Sequence, residues 1–114
     1  QIQQVVLNLI LNAFDAMNDM TPSHRTVSVA TRFPGEEAVS VEITDTGTGL
    51  SPPHQARLFQ PFFTTKERGL GLGLSLCSAI VKAHGGSLTL ANNPGGGATA
   101  SFSLPILKLP SASL

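Results

Sequence analysis

Apolar residues recur at helical spacing over the first 20 residues of the chain. The apolar positions are Ile2, Val5, Val6, Leu9, Ala13, Ala16, Met17 and Met20. The polar positions between them are Gln1, Gln4, Asn8, Asn12, Asp15 and Asp19. This period predicts one amphipathic helix, which we expect to end before Thr21-Pro22 because proline rarely continues a helix.

Alternating side chains predict two strands, and two further strands are expected later in the chain. The first two strands form a predicted hairpin, in which Val27 to Phe33 and Val39 to Ile43 flank a turn at Pro34-Gly35. Two further strands are predicted over residues 87–92 and 98–104, with a glycine-rich turn at 93–97 between them.

Two more helices are expected between the strand pairs. Ser51-Pro52-Pro53 resembles the start of a short helix that reaches residue 58 or 59. A longer helix is predicted from Leu72 to His84, where Gly85-Gly86 provides the left-handed cap. This order predicts an α+β fold, a two-layer α/β sandwich with helices on one face of a mixed, largely antiparallel sheet. The order of the strands in the sheet does not follow from it.

Length and charge narrow the function classes. The chain has 114 residues, which fit one domain, assigned to 1–105 with 106–114 as a tail or linker. Seven basic residues balance seven acidic ones without a basic run, so we expect no nucleic-acid partner and no direct membrane contact. No apolar run is long enough to span a bilayer, so the chain is expected to be soluble.

The lone cysteine and the first residue indicate the context of the chain. Cys77 lies in an apolar helical stretch, which favours a packing role in a reducing, cytoplasmic compartment. Gln1 already lies within the helical pattern and is not preceded by Met, so we expect a piece of a longer protein. Whether that parent protein crosses a membrane is left open.

Two glycine clusters suggest an anion-binding site. Gly47 and Gly49 follow Asp45, and Gly69, Gly71 and Gly73 alternate with leucines up to Leu74. Backbone without side chains can approach a phosphate chain closely, and the helix that begins near Leu72 adds its positive dipole end. The segment between the clusters, rich in Pro, Phe and Thr, is interpreted as a lid in which Thr65 and Lys66 follow the phosphates. A solvated loop face is the alternative for those two residues.

Three polar side chains are candidates for ligand binding. Asp45 shares a strand face with Val41 and Ile43, so its carboxylate should point toward the covered side and needs a donor there. A nucleobase amino group is one donor, and an Asx turn with Gly47 is the alternative. Asn8 and Asn12 lie one helical turn apart, and the Asn12 amide oxygen suits Mg²⁺ beside a triphosphate.

These motifs together resemble sensor histidine kinases. Residues 8–16 are similar to the asparagine box, 45–49 to the first glycine box, 59–63 to the phenylalanine box and 69–74 to the second glycine box. The match covers nearly the whole chain and includes His84-Gly85-Gly86. It implies the ATP-binding fold shared with gyrase, mismatch-repair ATPases and a heat-shock chaperone family. The short lid resembles the nitrogen-regulation and dicarboxylate-sensing branch.

The resemblance implies ATP and Mg²⁺ as cofactors and a role for each matching residue. Asp45 would bind the adenine amino group, Asn12 would hold Mg²⁺, and Asn8 and Asp15 would lie near the phosphates and sugar. The full set of implied nucleotide-binding residues is Asn8, Asn12, Asp15, Asp45, Gly47, Gly49, Thr65, Lys66, Gly69, Leu70, Gly71, Leu72, Gly73 and Leu74. The implied partners are a dimerisation and histidine phosphoacceptor domain of the same parent protein and, downstream, the receiver domain of a response regulator.

The chain departs from the family pattern at three positions, and other functions are open to it. Gln60, Leu70 and Ala100 replace a usual Glu, a frequent Thr and a frequent aromatic residue. ATPases of this fold carry a glutamate where Asn8 stands, and an amide cannot act as a general base, so hydrolysis by the chain itself is disfavoured. Leu74 stands where a dinucleotide-binding fingerprint requires its last glycine. A degenerate nucleotide-binding domain that serves only protein interaction is the remaining alternative.

Overall fold

The computed structural model describes residues 1–18, 20–49 and 73–106 of the chain. In chain order the elements are α1 (Ile2–Ala16), a 3-10 turn (Pro22–His24), β1 (Val27–Gly35), β2 (Ala38–Asp45), α2 (Gly73–Ala83), β3 (Ser87–Asn92) and β4 (Ala98–Pro105). The short helix expected after Ser51 falls outside the described residues. The predicted two-layer α+β sandwich is confirmed.

The four strands form one sheet in the order β1-β2-β4-β3. Every pairing among these strands is antiparallel. Non-consecutive β2 and β4 lie side by side at the centre, an arrangement that hydrophobic periodicity alone cannot reveal. This order places the end of β2 beside the start of β4.

The two faces of the sheet differ in chemistry. On the face toward the helices, one row of paired residues runs Val29, Ile43, Ala100 and Leu90, and the next runs Thr31, Val41, Phe102 and Leu88. On the other face serine and threonine dominate the rows. Three hydroxyl contacts join strands there, between Thr44 and Thr99, from Thr89 to the Ser101 carbonyl, and between Ser87 and Ser103. The sheet is therefore apolar under the helices and hydroxyl-rich on its outer face.

One hydrophobic core fills the space between the helices and the sheet. Its buried members are Val5, Leu9, Ala13, Ile43, Cys77, Ile80, Val81, Leu88, Ala100 and Phe102. Phe102 is the largest of the fully buried side chains and lies on β4 at the centre of the sheet. Both helices contribute to this core, which fixes α1 and α2 side by side over the central strands.

The end of α1 differs from the sequence prediction. The helix ends at Ala16, although the apolar period continues to Met20. Met17 N–H bonds to the Phe14 carbonyl and Asn18 N–H to the Asp15 carbonyl, a tighter spacing than in an α-helix. The Ala16 carbonyl accepts a hydrogen bond from Thr48 N–H, with N···O 3.4 Å. The Ala16 carbonyl is thus bonded by a residue distant in sequence, in place of an N–H from a further helical turn.

The hairpin turn also differs from its predicted position. Gly35 pairs with Ala38, so the two-residue connection is Glu36-Glu37 instead of Pro34-Gly35. The register shifts between Arg32 and Gly35, which places the proline in an irregular part of an edge strand, where its missing N–H is tolerated.

The predicted end of the second helix is confirmed. Gly85 adopts a φ of 84°, Gly85 N–H donates to the Lys82 carbonyl and Gly86 N–H to the Val81 carbonyl. This pair of bonds is the Schellman arrangement that satisfies the last carbonyls of a helix. Among the residues described, no helix has the length and apolarity needed to cross a membrane.

Candidate functional site

Asp45 ends β2 and is the buried carboxylate of the described chain, with 8% of its surface exposed. Its Oδ1 accepts a hydrogen bond from Gly47 N–H at 2.8 Å and another from Ala98 N–H at 3.3 Å. The predicted burial of Asp45 is confirmed, and so is the Asx turn that the sequence left as an alternative. One carboxylate oxygen therefore joins the glycine turn to the first residue of β4.

Gly47 packs directly under the end of α1. A Cβ built at this position would come within 2.5 Å of the Ala16 carbonyl oxygen and 3.0 Å of the Ala16 Cβ. Real side chains do not tolerate such distances, so only glycine permits this approach. The first glycine turn is therefore held against the helix that carries Asn8 and Asn12.

The turn between β3 and β4 forms a third side of the candidate site. From the sequence, residues 93–97 were expected only to be a turn. Gly97 has a φ of 81° and its Cα lies against the backbone of Asp45 and Thr46. The turn is closed by a hydrogen bond from Asn93 N–H to the Gly97 carbonyl at 2.9 Å. Thr99 Oγ1 donates to Asn93 Oδ1 at 2.6 Å and braces the same turn. The three consecutive glycines at 95–97 are the sequence feature from which this close approach could have been predicted.

Thr46 is a second residue whose role the sequence analysis did not predict. Its hydroxyl oxygen accepts a hydrogen bond from Thr26 N–H at 3.0 Å, and its hydroxyl donates to the His24 carbonyl. The Met17 sulfur lies 3.4 Å from the same oxygen. Thr46 thus links the glycine turn to the connection between α1 and β1.

Asn8, the first of the two asparagines of α1, contacts α2. Asn8 is half-buried, and its Nδ2 donates a weak hydrogen bond to Cys77 Sγ at 3.7 Å. Burial raises the pKa of the Cys77 thiol, and the Asn8 contact lowers it in part. The thiol therefore stays protonated at neutral pH, as a packing residue would. Asn12, one turn later, is also half-buried, whereas Asp15 is exposed.

The second glycine cluster is described only at its end. Gly73 begins the described part of α2 and is exposed, while Leu74 packs against the core. Thr65, Lys66, Gly69, Leu70, Gly71 and Leu72 lie outside the described residues, so their predicted roles stay predictions. The described part brings together the end of α1, the Asp45 turn and the β3–β4 turn, and it sets α2 beside α1.

Comparison with known proteins gives a consistent result. The family model of histidine kinase-, DNA gyrase B- and HSP90-like ATPases matches residues 1–108. The sensor protein FixL of Bradyrhizobium diazoefficiens is 45% identical over 106 residues, which cover 92% of this chain and 20% of the relative. The chain thus spans about a fifth of the length of that relative.

Solved structures resemble the chain along nearly its whole length. The nucleotide-free catalytic domain of histidine kinase ThkA matches with a TM-score of 0.77 and 31% identity, covering 91% of this chain and 65% of that one. Full-length ShkA in complex with AMPPNP matches with a TM-score of 0.78 and 28% identity, covering 96% of this chain and 22% of that one. The chain belongs to the family of histidine kinase-, DNA gyrase B- and HSP90-like ATPases, and it resembles the catalytic domains of histidine kinases.

Proposed function

We propose that this chain binds Mg-ATP and, within its parent protein, donates the γ-phosphoryl group to a histidine of a dimerisation and phosphoacceptor domain. The observation that carries this proposal is the buried Asp45 carboxylate, set at the meeting point of the glycine turn, the end of α1 and the β3–β4 turn. A buried carboxylate held by backbone N–H groups is a fixed hydrogen-bond acceptor, which suits recognition of an exocyclic amino group.

Adenine is the base that fits this acceptor. Its exocyclic amino group donates hydrogen bonds, and in our proposal it donates to Asp45, with Oδ2 as the acceptor. Guanine presents a carbonyl oxygen at the corresponding position, so two acceptors would face each other without a proton between them. The site should therefore prefer ATP to GTP, because an unpaired buried acceptor costs roughly 1–3 kcal/mol.

The phosphates and the metal belong on the α1 side of the site. The Asn12 amide oxygen is a hard, neutral donor on a half-buried helix face, which fits Mg²⁺ when a triphosphate supplies most of the ligands and the charge. Bound there, Mg²⁺ would neutralise charge on the phosphate oxygens. Asn8 and Asp15 lie one turn from Asn12 on either side, and we assign them to phosphate and ribose contacts.

Group transfer in the parent follows ordinary phosphoryl chemistry. A ring nitrogen of the acceptor histidine forms a bond to the γ-phosphorus while the bond to the β,γ-bridging oxygen breaks, and ADP leaves. Asn8 stands where a water-activating glutamate would be needed for hydrolysis, and its amide group donates to Cys77 instead. Because an amide cannot take a proton from water, Asn8 at this position supports transfer to a protein acceptor over hydrolysis. We further propose a response regulator receiver domain as the next recipient.

The proposal is tested by calorimetric titration of the chain with ATP and with GTP, each with and without Mg²⁺. We expect saturable binding of ATP that strengthens with Mg²⁺, and at least roughly tenfold weaker binding of GTP, which corresponds to about 1.4 kcal/mol. Circular dichroism on the same sample shows whether the protein is folded. A folded sample that gives no heat with ATP would contradict the proposal and favour a domain that serves only protein interaction.

Replacement of Asn12 by alanine tests the metal assignment separately. We expect Asn12→Ala to bind ATP with little dependence on Mg²⁺, because the variant has lost the amide oxygen assigned to the metal. The measurement is the ratio of ATP dissociation constants with and without Mg²⁺. Asn18→Ala is the matched control, since Asn18 is an exposed asparagine just beyond the end of α1. An unchanged ratio in Asn12→Ala would remove Asn12 from the metal site.

A further inference from the structure

Asn92, the last residue of β3, lies at the same edge of the sheet as Asp45. It pairs with Ala98 across the β3–β4 ladder, and Ala98 N–H bonds to Asp45 Oδ1 at 3.3 Å on the other side. Asn92 comes two residues after Leu90, which packs toward the helices, so its side chain lies on the helix-facing side of the sheet, as that of Asp45 does. The two polar side chains thus stand in one row, with the methyl group of Ala98 between them.

Gly49, near the end of the first glycine turn, lies against the side chain of Asn92. A Cβ built at Gly49 would come within 2.8 Å of Asn92 Oδ1 and 3.5 Å of Asn92 Cγ. The same Cβ would lie 3.4 Å from the Gly97 carbonyl oxygen. Gly49 also has a φ of 76°, a conformation that glycine adopts at little cost. The Asn92 carboxamide and the backbone of Gly97 therefore form the surface on which this part of the turn rests.

The first glycine turn is thus in contact with the rest of the site at three successive points. Gly47 N–H bonds to the Asp45 carboxylate at 2.8 Å, and the backbone of Asp45 and Thr46 packs against Gly97. Both of these contacts hold the beginning of the turn. The contact between Gly49 and Asn92 holds its far end, so a change at Asn92 reaches Asp45 through the backbone of the turn.

Asn92 is exposed, although it lies on the side of the sheet that the helices cover. On the same strand Leu88 is 8% exposed and belongs to the core, and Leu90 is partly buried against that core. Cover of this face therefore decreases along β3 and ends before Asn92. Removal of an exposed amide leaves no cavity in the core, so a substitution at Asn92 affects the turn more than the stability of the fold.

We propose that Asn92 is a positioning residue for nucleotide recognition. It holds Gly49, and with it the turn that begins at Asp45, in the arrangement in which the Asp45 carboxylate receives the amino group of adenine. This inference rests on the proposed binding of ATP and deepens it. Asn92 acts through the turn, so its loss should weaken recognition of the adenine amino group specifically.

Calorimetric titration of Asn92→Ala with two nucleotides tests the specific effect. One is ATP, and the other is purine riboside triphosphate, which is ATP without the exocyclic amino group. We expect the ATP dissociation constant to rise roughly five- to tenfold and that of the analogue to stay within about twofold, because only ATP uses the Asp45 acceptor. Thr89→Ala is the matched control, since Thr89 is an exposed polar residue on the outer face of the same strand. An unchanged preference for ATP in folded Asn92→Ala would overturn the inference.

Hydrogen exchange without nucleotide separates this inference from the proposed function. In Asn92→Ala the Gly47 N–H, which bonds to the Asp45 carboxylate, should exchange at least about fivefold faster than in the original chain. Thr89→Ala should leave it unchanged. If the original chain binds neither nucleotide, the proposed function fails, and the Gly47 amide still decides whether Asn92 holds the turn. Equal Gly47 exchange in Asn92→Ala and the original chain would overturn that role.

Discussion

Alanine at position 97 is expected to lower the free energy of unfolding by about 2–4 kcal/mol and to weaken ATP binding at least tenfold. A left-handed backbone costs a residue with a Cβ about 1–2 kcal/mol. The Cβ would also overlap the Asp45 carbonyl oxygen and approach the Thr46 Cα, so the backbone of the site must move. ATP binding should suffer because Asp45 itself is displaced.

Urea denaturation and calorimetric titration measure the two effects of Gly97→Ala. Gly95→Ala is the matched control, because Gly95 belongs to the same turn and a Cβ there meets no atom within 4 Å. We expect Gly95→Ala to stay within about 0.5 kcal/mol of the original chain, as other surface changes do. If both variants unfold at the same urea concentration, the close approach at Gly97 does not constrain the site.

Replacement of Asp45 by asparagine should weaken ATP binding and leave the stability of the fold nearly unchanged. The Asn side-chain oxygen can still accept the hydrogen bonds from Gly47 and Ala98 N–H, so we expect Asp45→Asn to unfold near the original midpoint. Its amide nitrogen, however, presents a donor where adenine also presents one. We expect ATP affinity to fall by about 2–4 kcal/mol, or roughly 30- to 1,000-fold.

Two companion variants make the Asp45→Asn result interpretable. Asp45→Ala leaves both N–H groups without their acceptor and should lower stability by about 2–4 kcal/mol as well as abolish binding. Glu42→Gln changes a carboxylate on the outer face of the same strand, where Glu42 pairs with the exposed Arg32, and should alter neither property. ATP affinity of Asp45→Asn equal to that of the original chain would exclude Asp45 from adenine recognition.

The elements that the sequence predicted well are those whose signals are local. The turn signal between β3 and β4 and the glycines after α2 place the boundaries of these elements within a residue of the structure. The errors arise where distant segments meet. The end of α1 depends on Gly47 and Thr48, which are about 30 residues away in sequence and contact Ala16 only in the fold.

In the candidate site, too, local features were predicted and contacts between distant segments were not. Strand alternation was sufficient to predict that Asp45 is buried, because side chains on a strand alternate between its faces. The Ala98 N–H that shares its carboxylate could not be predicted, because that contact requires β2 and β4 to be neighbours. Exposure of Leu7, Leu11 and Phe14 was also not foreseen, since a helix with apolar residues on two sides does not reveal which side the core will cover.

The hydroxyl-rich outer face of the sheet bears on how the domain would move under our proposed function. Water forms good hydrogen bonds with serine and threonine. A partner that displaced water from this face would therefore gain little free energy. A face of this kind therefore forms only weak contacts with other proteins. In our proposed function the domain must reach an acceptor histidine, deliver its phosphoryl group and withdraw for the next nucleotide. Under that proposal the hydroxyl-rich face would add little to the affinity for a neighbouring domain, which would favour release after each transfer.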